Sequence, residues 1–243
     1  MLLENRIALV TGAGAGIGRA VARAYAREGA TVLLLGRTQA KLEETYDLII
    51  SAGGRASLLP LDLENDLGRV PEAALEINHR FGRLDILVNN AAVLGTMGPL
   101  TATDPMQWEQ LFRVNLTAPW FLTCVLLPLL RLSPNASVIN VVSGVAFKGM
   151  AYWGPYGASK AALVNITESF SQELENTAVR FNTVNPGVVA TRMRAFAFPG
   201  EDPATLPTAD EITPVFLYLA SDQSREVRGQ HLQAGEWRDW RAM

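Results

Sequence analysis

The 243-residue chain has one cysteine, two histidines and no excess of basic residues. The lone Cys124 excludes an intramolecular disulfide framework and fits a reducing compartment. Set in an apolar run, it reads as a small buried hydrophobe. His79 and His231 have no partners at a metal-ligand spacing, so both read as structural or surface residues, and no metal site is expected. A net charge of -3 argues against the basic face that nucleic acid requires. The start, MLLENRIALVTG, lacks a charged segment followed by a long apolar one, which speaks against a secretory signal. The most apolar segment, 116–132, is short for a membrane span and carries Pro119 and Pro128. A buried helix or a subunit-contact helix is expected there, and a cytoplasmic protein without membrane partners. No internal repeat, low-complexity tract or linker divides the chain.

Nearly half of the residues (49%) are apolar, enough for a sizeable core in one domain spanning 1–243. Short apolar runs bounded by glycines and polar residues alternate with helical patterns. Strands are expected at 6–11, 32–35, 56–61, 84–89, 137–142, 179–184 and 230–233. Between them, helices are expected near 17–29, 39–51, 65–80, 104–130, 158–176 and 212–220. The third should be interrupted near Gly68 and Pro71, and the fourth capped by Asp104 and bent at its prolines. Such alternation predicts an α/β fold, a doubly wound, Rossmann-type parallel sheet with helices on both faces.

Two stretches carry chemistry. After the first strand comes Thr11-Gly12-Ala13-Gly14-Ala15-Gly16-Ile17-Gly18, a T-G-x-x-x-G-x-G loop opening a helix. Glycines let a backbone approach a ligand closely, and amides at a helix start suit a pyrophosphate. The second stretch is 143–160, SGVAFKGMAYWGPYGASK. Tyr156 and Lys160, four residues apart, share a helix face, so the ammonium can lower the phenol from its free value of about 10 toward the range of a general base. Ser143 ends an apolar strand, where open α/β sheets keep their ligands. A Tyr-x-x-x-Lys pair also arises by chance on amphipathic helices; its weight comes from the motifs that precede it.

In their order and spacing, TGAGAGIG at 11–18, Asp62, NNAA at 89–92, Asn115, Ser143, YGASK at 156–160 and PGVVAT at 186–191 resemble a short-chain dehydrogenase/reductase of the compact Tyr-x-x-x-Lys branch. The resemblance implies seven strands in the order 3-2-1-4-5-6-7 and a nicotinamide cofactor across their carboxyl ends. It implies catalytic roles for Asn115, Ser143, Tyr156 and Lys160, with Asn115 positioning a water in a relay through Lys160. For the cofactor it implies Gly12, Gly14, Gly16, Ile17 and Gly18 in the loop, and Asp62 and Leu63 at the adenine. Asn89 and Ala91 would flank the cofactor, Asn89 also bracing the central strands. The turn of Pro186, Gly187 and Val189 would lead to Thr191 at the carboxamide, and 191–210 would form a substrate loop. Read from the residues alone, Asn115 could simply satisfy a local backbone group.

The implied activity interconverts a carbonyl and an alcohol. The rival is a regulatory or scaffolding protein that binds the cofactor with little turnover. At the end of the second strand, where an NAD enzyme places an acidic residue, stand Gly36, Arg37 and Thr38. Arg37 could bind a 2′-phosphate or lie flat on the adenine; NADP(H) is expected ahead of NAD(H). Two departures stand out: NNAA replaces the family's NNAG, and a Trp- and Arg-bearing tail, 236–243, replaces its usual D-G-G ending. A homodimer or homotetramer is expected, paired isologously through the 104–130 helix and the Tyr156 helix.

Overall fold

The computed structural model describes residues 1–241, so 242 and 243 of the tail lie outside the described residues. Seven parallel strands run β1 (Ile7–Thr11), β2 (Thr31–Gly36), β3 (Arg55–Pro60), β4 (Ile86–Asn89), β5 (Ala136–Val141), β6 (Val179–Asn185) and β7 (His231–Gln233). They lie in the order 3-2-1-4-5-6-7, as expected from the resemblance. Because the chain winds outward from β1 in one direction and from β4 in the other, the β1–β4 seam opens a crevice at the carboxyl edge.

Side chains alternate across the pleat. Ala8 and Val10, Val32 and Leu34, Ile86 and Val88 enter the core beneath α1 (Gly16–Arg27), α2 (Gln39–Ser51) and α8 (Pro214–Ala220). Leu9, Leu33, Leu35 and Leu87 face the other way, toward α3 (Val70–Phe81) and α5 (Ala118–Leu130). With both faces covered, the strands read as continuous apolar runs rather than alternating ones. At the sheet's amino edge the buried Asp85 carboxylate accepts from Ile7 N, Arg83 Nε and Ser133 Oγ at 2.8, 3.1 and 2.6 Å.

Three expectations need correction. The 104–130 helix is not uniform: a π turn, Arg113–Thr117, lies between α4 (Pro105–Phe112) and α5, and Pro128 falls inside α5. Pro119 falls in the first turn of α5, where a missing N–H costs nothing. The interruption expected near Gly68 and Pro71 is present: a 3-10 turn, Leu67–Arg69, gives way to α3, with Pro71 in its first turn. Cys124 is exposed, because α5 turns the residues at its spacing, Trp120 and Pro128, away from the sheet. Finally, the 191–210 segment holds a short helix, α7 (Arg192–Ala197), which no periodicity announced. The continuous helical stretch Pro105–Leu130 has a mean hydropathy of 1.4 over its most apolar window, enough by composition to cross a membrane. Half of that window is packed inside the fold, which matches the buried-helix expectation.

Candidate active site

The loop after β1 folds tightly because its glycines leave no alternative. A Cβ on Gly18 would lie 2.3 Å from the Gly12 carbonyl oxygen, closing the approach of α1 to the loop. Gly12 takes a φ of +67°, and a Cβ there would sit 2.9 Å from Asn90 Nδ2. Gly14 packs on Lys41 of α2, while its carbonyl accepts from the Arg19 guanidinium at 2.6 Å. The Thr11 hydroxyl accepts from both Asn90 N and Ala91 N at 2.9 Å, and Asn90 Nδ2 donates to Thr11 O at 2.9 Å. These bonds tie the loop after β1 to the loop after β4. The result is a bare backbone cradle at the start of α1, which fits a pyrophosphate.

On the other side of the crevice, α6 (Gly154–Glu173) carries Tyr156 and Lys160 on the face turned toward Ser143 at the end of β5. Tyr152 takes a φ of 71°, a left-handed conformation that costs an aromatic residue about 1–2 kcal/mol, just before α6 begins. Lys160 is 2% exposed; its Nζ donates to Val141 O at 2.8 Å and lies 5.9 Å from the centre of the Tyr156 ring. Burial lowers the Lys160 ammonium to about 8, since nothing anionic replaces the water it has lost. Burial likewise raises Tyr156 to about 12, partly offset by the Ser143 hydroxyl. The phenol thus stands above its free value and not below it as expected, because desolvation outweighs the Ser143 hydrogen bond.

Asn115 lies in the π turn, fully buried. Its Oδ1 accepts from Val93 N at 2.9 Å, and its Nδ2 donates to Val93 O and Ser159 Oγ at 2.9 and 3.1 Å. Ser159 Oγ in turn donates to Tyr156 O at 2.8 Å. The side chain thus braces the loop after β4 against the first turns of α6. Asn89 braces too: its Nδ2 donates to Asn140 Oδ1 at 2.8 Å, linking β4 to β5.

A cleft of about 970 Å³ runs along the carboxyl edge. It brings together Gly12, Gly16, Ile17 and Ala91 with Ser143, Tyr156 and Lys160. Pro186, Gly187, Val189 and Thr191 complete that lining from the loop after β6. Gly14, Gly18, Asn89 and Asn115 stand behind this lining as supports. Arg37 and Thr38 follow β2, and Asp62 and Leu63 follow β3; all four lie outside the cleft lining. Arg37 is 64% exposed, with Glu64 at 3.9 Å. The Asp62 carboxylate closes its own turn, accepting from Glu64 N and Asn65 Nδ2 at 2.9 and 3.0 Å. Leu63 points into the core, which leaves only its backbone free for a ligand.

Sequence reasoning missed Asn90 and Asn185. Asn185 lines the cleft, donates to Gln233 Oε1 at 2.7 Å and accepts from Gly187 N at 3.1 Å, so it fixes the turn between β6 and Thr191. An Asn directly before Pro-Gly at a strand end was the available signal.

Comparison with known proteins agrees with this geometry. The family model for short chain dehydrogenase matches residues 6–202. The chain is 40% identical over 239 residues to the uncharacterized oxidoreductase YciK of Escherichia coli, covering 96% of this chain and 93% of that one. Its fold superposes on that of a short chain dehydrogenase from Pseudomonas syringae with a TM-score of 0.94 at 46% identity, covering 96% of each chain. A short chain dehydrogenase from Shigella flexneri, solved in complex with NADP, gives a TM-score of 0.94 at 39% identity, covering 96% of this chain and 98% of that one.

Proposed function

Because the chain belongs to the short chain dehydrogenase family, a family of oxidoreductases, we propose that it interconverts a carbonyl and a secondary alcohol using a nicotinamide cofactor. NADP(H) is favoured over NAD(H), and the protein acts in the cytoplasm as a homo-oligomer, with 1–243 working as one domain. One observation carries the reading: a buried phenol, a buried ammonium and a strand-end hydroxyl meet in a cleft whose far wall is a glycine cradle for a phosphate.

Each part of the cleft has its own task. The Gly12–Gly18 loop would hold the pyrophosphate on its amides, Asp62 and the Leu63 backbone the adenine end, and Thr191 the carboxamide. Bound there, the nicotinamide supplies or accepts the hydride. Ser143 donates a hydrogen bond to the substrate oxygen. Tyr156, held at about 12, keeps its proton at neutral pH and is set to deliver it to that oxygen as the carbonyl is reduced. Lys160, at about 8, remains mostly ammonium at pH 7; it binds the ribose and favours the phenolate that Tyr156 leaves behind. Asn115 keeps Tyr156 in place through Ser159; positioning a water in a relay through Lys160 is a role carried over from the family resemblance. Arg37, with no acidic residue at Gly36, suits a 2′-phosphate, and the NADP complex of the Shigella flexneri protein favours the same choice.

Tyr156→Phe tests the assignment. It preserves the ring and removes the proton carrier, so turnover should fall by about 10²–10⁴-fold while thermal stability and cofactor affinity hold. A wild-type rate in Tyr156→Phe would overturn the role of the phenol. Tight cofactor binding without turnover of any diketone, quinone or aldehyde would favour the regulatory reading instead.

A further inference from the structure

We propose that the cleft selects carbonyl substrates that join an apolar or aromatic body to an anionic group, the anion being met by Lys148 and Arg192. The assignment rests on the oxidoreductase reading above and names its substrate class. Its first ground is the charge of the lining. Lys148, Lys160, Arg192 and Arg194 border the cleft, and among the described residues no aspartate or glutamate does. This local excess of cations stands in a chain whose net charge is -3, so it is a property of the site and not of the surface at large. A cleft of one sign between low-dielectric walls concentrates ligands of the other.

The second ground is which cations are already committed. Lys160 donates to Val141 O and serves Tyr156. Arg194 is neutralised by Glu201 through two hydrogen bonds, Nε to Oε2 at 2.5 Å and Nη2 to Oε1 at 2.7 Å. Its guanidinium also lies 3.7 Å above the Phe198 ring, so it acts as a clasp on the segment carrying α7. Lys148 and Arg192 have no hydrogen bond or ion pair among the described residues. They are the two charges of the lining left for a ligand.

The third ground is the apolar wall that shares the cleft with them. Phe198 packs 5.9 Å from Trp153, and Trp153 meets Tyr156 edge-on at 5.9 Å. With Leu94, Met150 and Met193, these rings make an apolar wall leading from the phenol toward the rim of the cleft. An apolar wall excludes a small polyol. Two uncommitted cations distinguish an acid from its neutral analogue.

The test uses paired substrates that differ only in charge: benzoylformate and 4-oxo-4-phenylbutanoate against their methyl esters, with NADPH. The wild type should show a KM several-fold lower for each acid than for its ester. That preference should shrink as salt rises from about 10 mM to about 1 M, where the screening length falls from about 30 Å to about 3 Å. In Lys148→Gln/Arg192→Gln the preference should disappear, leaving the KM of each acid within about twofold of that of its ester. Binding of the same acids, followed by the part of the tryptophan fluorescence change that is lost in Trp153→Phe, gives a readout independent of turnover. Lys148→Gln is measured alone as well, because Arg192 follows Thr191 and a cofactor phosphate is the competing claim on it. Equal KM for acid and ester, or a preference unchanged in the double variant, overturns the anion assignment and leaves the oxidoreductase reading standing. Discrimination lost only through Arg192, in step with a weaker cofactor, overturns it too. No turnover of any acid or ester, together with no fluorescence response, overturns both.

Discussion

Lys160 shows how a residue chosen for chemistry costs stability. Its folded value of about 8 lies below the 10.5 of the free side chain, so the folded protein holds this proton less tightly than the unfolded chain does. At about 1.36 kcal/mol per unit, a shift of about 2.5 units makes the penalty about 3 kcal/mol at neutral pH. Lys160→Met should therefore abolish turnover yet raise the melting temperature of the cofactor-free protein by several degrees. As pH rises from 8 toward 10, the folded protein has shed the proton and the unfolded chain has not. The penalty fades, and the advantage of Lys160→Met should narrow; a gap that stayed constant from pH 7 to 10 would falsify the account. Arg37 makes the second residue-scale prediction. Its contact with Glu64 at 3.9 Å is long and half solvated, which leaves the guanidinium free to change partner. Arg37→Ala should weaken NADPH binding by about 1.5–3 kcal/mol and barely affect NADH. Glu64→Gln, which removes the competing carboxylate, should tighten NADPH. Fluorescence titration of both cofactors into each variant decides the matter, and parallel losses for NADH and NADPH would refute the 2′-phosphate assignment.

Among the elements, the π turn at Arg113–Thr117 matters most, because it carries Asn115 into contact with two other segments at once. An extra residue in one helical turn shifts the phase of the turns after it, a device frequent at functional sites. Asn115→Ala would leave the Val93 N–H and C=O without their side-chain partners, at a cost of about 1–3 kcal/mol. The melting temperature should fall by several degrees, and the rate should fall with it as the first turns of α6 loosen. Unchanged stability would show that Val93 finds other partners and that the bracing role is wrong. The sequence revealed the glycine loop, the Tyr-Lys pair and Ser143, because each depends on spacing within one element. It revealed Asn115 only as a place in an ordered set, because its partners lie 22 and 44 residues away in sequence.

For the whole molecule, the exposed side of the α4–α5 stretch carries large apolar side chains beside Glu109, Arg113 and Thr117. Met106 is 71% exposed and Trp120 46%, with Cys124 and Pro128 following Trp120 along α5. Such a stripe on a subunit of this size fits an isologous contact with a second copy of the chain. Trp120→Glu should shift the protein to a smaller species in light scattering at micromolar concentration, with its helical content intact. A wild type that is monomeric at that concentration would remove the ground for the prediction. The C-terminal tail gives a different result. Trp237 stacks on Tyr218 of α8 at 4.3 Å, and Trp240 meets the same ring edge-on at 5.7 Å. The described part of the unusual ending thus folds back on its own chain.

The sequence by itself determined the order of elements, the doubly wound class and the residues at the strand ends. Those derive from apolar period, turn chemistry and short-range spacing, all of which act along the chain. Tertiary structure alone decided that Tyr156 is raised and not lowered, because desolvation depends on everything packed around a group and not on the lysine four residues away. It also decided that Arg194 is spent on Glu201 while Arg192 is left free, and that Cys124 faces outward while Leu122 faces in. In each case neighbouring residues of similar character parted company because the fold placed a partner, or a sheet, beside only one of them.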